Sequence, residues 1–304
     1  MIFEKQQTVA CISGIQVGGQ PGEYPTCIIP SIFYDGHKIV SNPAKGEFDK
    51  QQAETLLNNV EVLSEKTGNP FFIDVMGTTA EALIRYVDFV TEKTSIPFLV
   101  DSVSRDAKLQ TLTHLQKTGL INKVIYNSIS FLSTPQEYQT LNELGVKSAI
   151  VLAYDPKQPS GGKENILSGD SKQPGLLNKA KQAKITNLLV DTAVTQIPSI
   201  GPASKAICSI KENFGLPAGC APANALSIWK KLNDGIFGPD ARKVCLGASI
   251  LFTQTMAADF VIAGRIDEAD AVFPVCAMAD AIIAAETQQL GVKISSNHPF
   301  YKIF

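Results

Sequence analysis

The 304-residue chain is 44% hydrophobic and 18% charged, a globular composition that a disordered chain does not carry. A formal net charge of −2, from 27 basic and 29 acidic residues with no basic run, excludes an electrostatic footprint for nucleic acid. No apolar stretch approaches the roughly 18 residues of a membrane span, and MIFEKQQTVACISG has no apolar h-region. The expectation is therefore a cytoplasmic protein without membrane insertion.

Residues 1–24 form a lead-in that closes on the turn-rich GGQPGEYP. Eight apolar, strand-like runs follow. They are CIIPSIF (27–33), FFIDV (71–75), PFLVD (97–101), KVIYN (123–127), SAIVLAY (148–154), NLLVD (187–191), LPAGC (216–220) and FVIAG (260–264). Most are continuous rather than alternating, as strands covered on both faces should be. The seventh is the weakest, because Pro217 and Gly219 are poor strand residues.

Helical patterns fill the gaps. Leu56, Leu57, Val60 and Leu63 make one apolar stripe in 50–66, and Thr78-Thr79-Ala80-Glu81 and Thr134-Pro135-Gln136-Glu137 both read as capping boxes. Residues 241–258 and 268–290 are alanine-rich and read as long packed helices. Eight strands alternating with helices predict a (β/α)8 TIM barrel spanning 1–304 as one domain; an open doubly wound sheet satisfies the same order of elements. Residues 155–175, DPKQPSGGKENILSGDSKQPG, are the longest polar stretch and would project from the reactive face of a barrel, as a lid or as a solvated loop.

The six cysteines are scattered without a C-x-x-C pair, so they read as apolar filler, and His37, His114 and His298 are too far apart to form a metal cluster. The strand ends carry the informative chemistry. Asp74, Asp101, Asn127, Asp155 and Asp191 each fall at or near the C-terminal end of an apolar run, and Asn224 follows the seventh in GCAPANA. In a barrel these ends converge on one mouth. Taken singly, each is also an ordinary turn or helix-cap residue. As a set, carboxylates and amides with no histidine or lysine among them suit a flat heterocycle that has both donors and acceptors: a carboxylate accepts two N–H bonds from an aminopyrimidine edge, and an amide both donates and accepts. No G-x-G-x-x-G follows a strand, and SGGKE (160–164) lacks P-loop spacing.

LVDS (99–102) and YNSIS (126–130) resemble the pterin-binding barrels of dihydropteroate synthases and pterin-dependent methyltransferases. VGGQPGEYPT (17–26), IFYDGHKIV (32–40), TGNPFFIDVMGTT (67–79), VDTAVT (190–195) and FGLPAGCAPANALSIW (214–229) are similar to a narrower group. That group is the H-type subunit of tetrahydromethanopterin S-methyltransferase together with the methylcorrinoid:tetrahydrofolate methyltransferases. The resemblance runs from about residue 8 to 290. It implies methyl transfer between N5 of tetrahydrofolate and methylcobalamin carried by a separate corrinoid protein, because the chain contains no corrinoid-binding D-x-H-x-x-G motif. The alternative it implies is action on tetrahydromethanopterin as one component of a membrane-associated complex.

By the same resemblance Asp101, Asn127 and Asp191 hold the pterin ring, Asn224 faces N5 as the catalytic residue, Asp74 is a further acidic position at the mouth, and the chain forms a homodimer. Lys157, Lys163 and Lys172 mark the 155–175 loop as a docking element for the corrinoid protein. A pterin-condensing enzyme would need a lysine and an arginine near the last two strands; Arg265 is placed for this, but GCAPANA offers no lysine.

Overall fold

A computed structural model describes residues 1–157, 162–170 and 173–304. Each of the eight apolar runs forms a strand. These are β1 (Cys27–Ile32), β2 (Ile73–Met76), β3 (Phe98–Asp101) and β4 (Val124–Ile129), followed by β5 (Ser148–Leu152), β6 (Asn187–Asp191), β7 (Ala218–Cys220) and β8 (Phe260–Arg265). They pair in parallel and in chain order, and β8 closes on β1 through Phe260↔Cys27, Val261↔Ile28 and Ile262↔Ile29. The barrel is closed, and the open-sheet alternative is excluded. The odd composition of β7 has a steric reason. A Cβ on Gly219 would run into the Phe260 carbonyl oxygen, so only glycine lets the two backbones pair there.

The helices are α1 (Lys50–Thr67), α2 (Ala80–Lys93), α3 (Arg105–Lys117), α4 (Pro135–Leu144), α5 (Lys163–Ser168) and α6 (Leu176–Gln182). After β6 come α7 (Ile200–Phe214), α8 (Pro222–Ser227), α9 (Lys230–Asn233), α10 (Ala241–Thr255) and α11 (Ala269–Gln289). At α4 the full capping box forms: Thr134 Oγ1 accepts from the Glu137 amide at 3.2 Å, and Glu137 Oε2 accepts from the Thr134 amide at 3.4 Å. At α2 it does not. Thr79 is the cap, accepting from Ala82 N at 3.1 Å, while the Thr78 hydroxyl donates to the Pro43 carbonyl at 3.1 Å. The polar 155–175 stretch is not simply a loop, since it contains α5; residues 158–161 and 171–172, with Lys172 among them, lie outside the described residues.

Strand alternation divides the core in two. Cys27, Ile29, Phe72, Leu99, Ile125, Ile150, Leu189, Phe260 and Ile262 point inward and form one apolar cluster with Ala10, Ile12 and Val17. The residues between them, among them Ile28, Ile73, Phe98, Val100, Val124 and Tyr126, face the helices in a second, larger cluster. The inner cluster shows what the lead-in does: Val9–Ile12 and Ile15–Gly18 pair as an antiparallel hairpin whose buried side chains plug the N-terminal end of the barrel. This hairpin is not legible in the sequence, because two four-residue strands around Ser13-Gly14 leave little periodicity to read.

A buried ion pair fastens this end. Lys211 of α7 holds both Asp259 oxygens, at 2.6 and 2.8 Å, and also donates to the Gly19 carbonyl just past the hairpin at 2.9 Å. Asp259 in turn accepts from the Ala218 amide at 2.9 Å, so a single pair ties the hairpin to α7, β7 and β8. With the side chains only 1% and 7% exposed, removal of one partner leaves an uncompensated buried charge. Lys211→Met is expected to cost about 3–5 kcal/mol, read as the change in urea unfolding midpoint at constant m; a loss below about 1 kcal/mol would show that the pair is not holding the hairpin.

Candidate active site

The inward positions one step above the apolar floor are Ser31 on β1, Asp74 on β2, Asp101 on β3, Asn127 on β4 and Asp191 on β6. They lie two residues beyond Ile29, Phe72, Leu99, Ile125 and Leu189, so the same side-chain parity that buries the floor turns each of them into the barrel mouth. Strand pairing sets their neighbours: Ser31 is opposite Asp74, and Asp101 is opposite Asn127.

Asp74, Asp101 and Asn127 form a contact cluster. Asp74, expected at the mouth, is only 2% exposed. Ser31 Oγ donates to Asp74 Oδ2 at 2.7 Å, while Oδ1 is buried without a hydrogen-bond partner of good geometry. Burial, reinforced by the neighbouring Asp101 charge, pushes the Asp74 carboxyl well above the usual range, against the opposing effects of the Ser31 hydroxyl and the nearby Asn127 amide. Asp101 is pushed up to about 6, mainly by burial, with Lys108 and the Ser102 amide opposing.

Asp191, on the other side of the mouth, is 7% exposed and also raised to about 6 by burial. Its Oδ1 accepts from the Ala193 amide at 2.8 Å, which holds Ala193 at a φ of 57°, a left-handed conformation rare for alanine. Asn224 sits on the first turn of α8, four residues past β7, with its side chain exposed. No hydrogen bond or ion pair joins it to the other four among the described residues. Asp155 takes the turn role instead, accepting from Lys157 N at 2.8 Å.

Lysines are part of this site, contrary to the sequence reading. Lys108 on α3 is buried, donates to the Asn127 carbonyl at 2.9 Å and lies 4.5 Å from the Tyr126 ring centroid. Lys163, expected to face a docking partner, is 4% exposed and turned inward: its ammonium donates to the Thr192 carbonyl and, at 3.4 Å, to that of Ala153. Burial lowers the pKa of both amines, while Asp101 and Asp191 respectively favour their charged forms.

Behind Lys108 lies Glu137, 2% exposed, which accepts from Tyr126 Oη and Ser133 Oγ, both at 2.9 Å, and pairs with Arg105 Nε at 2.7 Å. The readable signal for Lys108 was its place in the stripe Lys108, Thr111, Leu112, Leu115, a cation on the buried face of a helix. Arg265 is not free to hold a leaving group on its own, being paired to Asp267 at 2.5 Å.

The fold is thus the closed (β/α)8 barrel. Solved dihydropteroate synthases share it: that of Coxiella burnetii superposes with a TM-score of 0.59 over 92% of this chain and 100% of that one at 10% identity. That of Xanthomonas albilineans gives 0.58 over 91% and 98% at 13% identity. The narrower assignment comes from sequence. The family model described as tetrahydromethanopterin S-methyltransferase MtrH subunit matches residues 5–295. The corresponding tetrahydromethanopterin S-methyltransferase subunit of Methanocaldococcus jannaschii is 40% identical over 317 residues, covering 99% of each chain, and that of Methanothermobacter thermautotrophicus is 36% identical over 308 residues with the same coverage. The chain belongs to this methyltransferase family. The tetrahydrofolate expectation is thereby corrected, since these relatives are named for tetrahydromethanopterin.

Two measurements test the electrostatics of the cluster. Because Asp101 is raised in the folded state, its contribution to stability is present below its unfolded value near 4 and is lost as pH rises through about 6. Asp101→Asn is therefore expected to stabilise the chain at pH 8 relative to pH 4, by about 1–2 kcal/mol after allowance for partial solvent access, seen as a Tm gain at the higher pH only. Lys108→Met removes the charge that holds Asp101 down. The acid limb of ligand binding should then move to higher pH, with roughly fivefold weaker binding at pH 6 for a move of one unit; an unmoved limb would exclude Lys108 from this role.

Proposed function

We propose that this chain binds a reduced pterin of the tetrahydromethanopterin type in its barrel mouth and moves a methyl group between pterin N5 and a corrinoid held by another protein. The observation that carries the reading is the Asp74–Asp101–Asn127 cluster, opposite Asp191, over a sealed apolar floor in a member of this family.

The residue types fit that task. Ionised Asp101 and Asp191 accept the N–H groups of an aminopyrimidine edge, and Asn127 bonds the ring carbonyl side. Asp74, with its orphaned Oδ1, is placed to share a proton with Asp101 or with the ring. Asn224, a neutral amide, can donate to or accept from N5 as that nitrogen gains or loses its methyl group. The chief catalytic contribution is orientation, with N5 held in line with the methyl group and water kept from the floor.

The corrinoid supplies the cobalt between which and N5 the methyl passes. This chain's residues do not fit it as a resident group. His37 and His298 are buried with Nδ1 accepting from Phe33 N and Phe300 N, and His114 is paired with Asp88 at 2.7 Å, so each imidazole already serves the fold and none would be presented to such a group. A separate corrinoid protein is the consistent arrangement, with this chain as a peripheral member of the assembly its relatives' names describe. Among the described residues no helix is long and apolar enough to cross a membrane.

Purified chain assayed for methyl exchange between tetrahydromethanopterin and free cobalamin tests the proposal. Asp101→Ala is expected to weaken pterin binding by about tenfold or more, and Asn224→Ala to leave binding within about threefold while kcat falls by about two orders of magnitude. Parent-like binding and turnover in both variants would refute the site.

A further inference from the structure

Above the seam where β8 closes on β1 lies a cleft of about 600 Å³, within the range of small-molecule sites. The loop after β1 forms one wall, and Ser227 of α8, Arg242 and the Arg265–Asp267 pair form the other. The aromatic wall is built in advance. Tyr34 stacks on His37 with ring centroids 4.2 Å apart and planes at 10°, donates its hydroxyl to Asp267 Oδ1 at 2.9 Å, and has the Arg265 guanidinium 6.0 Å from its ring centroid. His37 is itself pinned by the Phe33 amide at 3.1 Å. Both guanidiniums are paired, Arg265 with Asp267 at 2.5 Å and Arg242 with Glu268 at 2.6 Å, so the cleft offers aromatic and hydrogen-bonding surface more than a trap for free anions.

Two points connect this cleft with the mouth. Ser227 follows Asn224 by three residues in α8, so the two share a helix face one turn apart. In a pteridine, C6 is bonded to N5 and carries the side chain. With the pyrimidine edge at Asp101 and Asn127 and N5 at Asn224, the C6 substituent leaves the ring on the α8 side, toward the β8–β1 seam.

We propose that this cleft binds the C6 side chain of the reduced pterin, an arylamine carrying hydroxyl groups, and is where the chain distinguishes pterins that share one head group. The inference rests on the orientation given under Proposed function. On the proposed orientation the mouth acids and amides read the pyrimidine edge that pterin classes share, the C6 side chain is the largest difference between the classes, and a preformed aromatic and guanidinium wall suits a flat aryl group with hydroxyls beyond it.

The test fills the cleft without touching the mouth. Ser227 is exposed, so Ser227→Phe is not expected to disturb folding. Dissociation constants for tetrahydromethanopterin and for the tail-less 6-methyltetrahydropterin are measured on the parent, Ser227→Phe and Ser227→Ala. The expected result is about tenfold or greater weakening of tetrahydromethanopterin binding in Ser227→Phe, tail-less binding within about twofold of the parent, and no change in Ser227→Ala. Equal weakening of both ligands, or of neither, overturns the cleft assignment while the mouth reading stands. Failure of the parent to bind either ligand removes the mouth reading, and this inference with it.

Discussion

The structure depends on one constraint, the two-residue alternation of side chains in strands that close on themselves. Once β8 pairs with β1, every second residue has to point into a space that no other element can reach from the side. Filled with Ile29, Leu99, Ile125, Ile150, Leu189 and Phe260, that space becomes a dry floor. The next inward position on several strands is acidic, hydroxylic or an amide. The N-terminal hairpin closes the lower opening and is held there by Lys211 and Asp259. A polar ligand therefore has one way in, and the groups that meet it there are set by parity.

Concentrating carboxylates at one opening raises their affinity for protons, since burial and mutual repulsion both act against charge. The chain offsets this with local, unequal partners: the Ser31 hydroxyl at Asp74, Lys108 near Asp101, and the Ala193 amide with Lys163 at Asp191. All three remain raised, Asp101 and Asp191 to about 6 and Asp74 well above its usual range, so each acid holds a proton more firmly than a free carboxylate does. Raised acids gathered at one opening are a common mark of a functional site.

How much of this was legible in sequence follows from how local each signal is. The eight strands were readable as apolar runs, and the site acids as the polar residues that ended them, because both are written within five or six consecutive positions. Lys108 and Lys163 were not, because each reaches a strand end from a different element, and the contacts with Asn127 and Thr192 span 19 and 29 residues. Asp155 looked like its neighbours in sequence but lies three residues past β5, where it serves a turn. The choice of pterin was misjudged for a related reason: acids and amides at strand ends suit a ring that both pterin classes share and carry no mark of the side chain in which they differ.

Glu137 closes the helix box at the start of α4 and is also the carboxylate that Arg105 and Tyr126 bind, near enough to Lys108 to favour its charged form as Asp101 does. One side chain thus serves as both an architectural clasp and a counterweight in the charge balance of the mouth. Loosening of that helix end, by heat or by an altered Thr134, cannot remain a local event. It frees an anion beside the site's buried ammonium, so the mechanical soundness of a peripheral turn is registered as a change in how firmly the cavity grips protons.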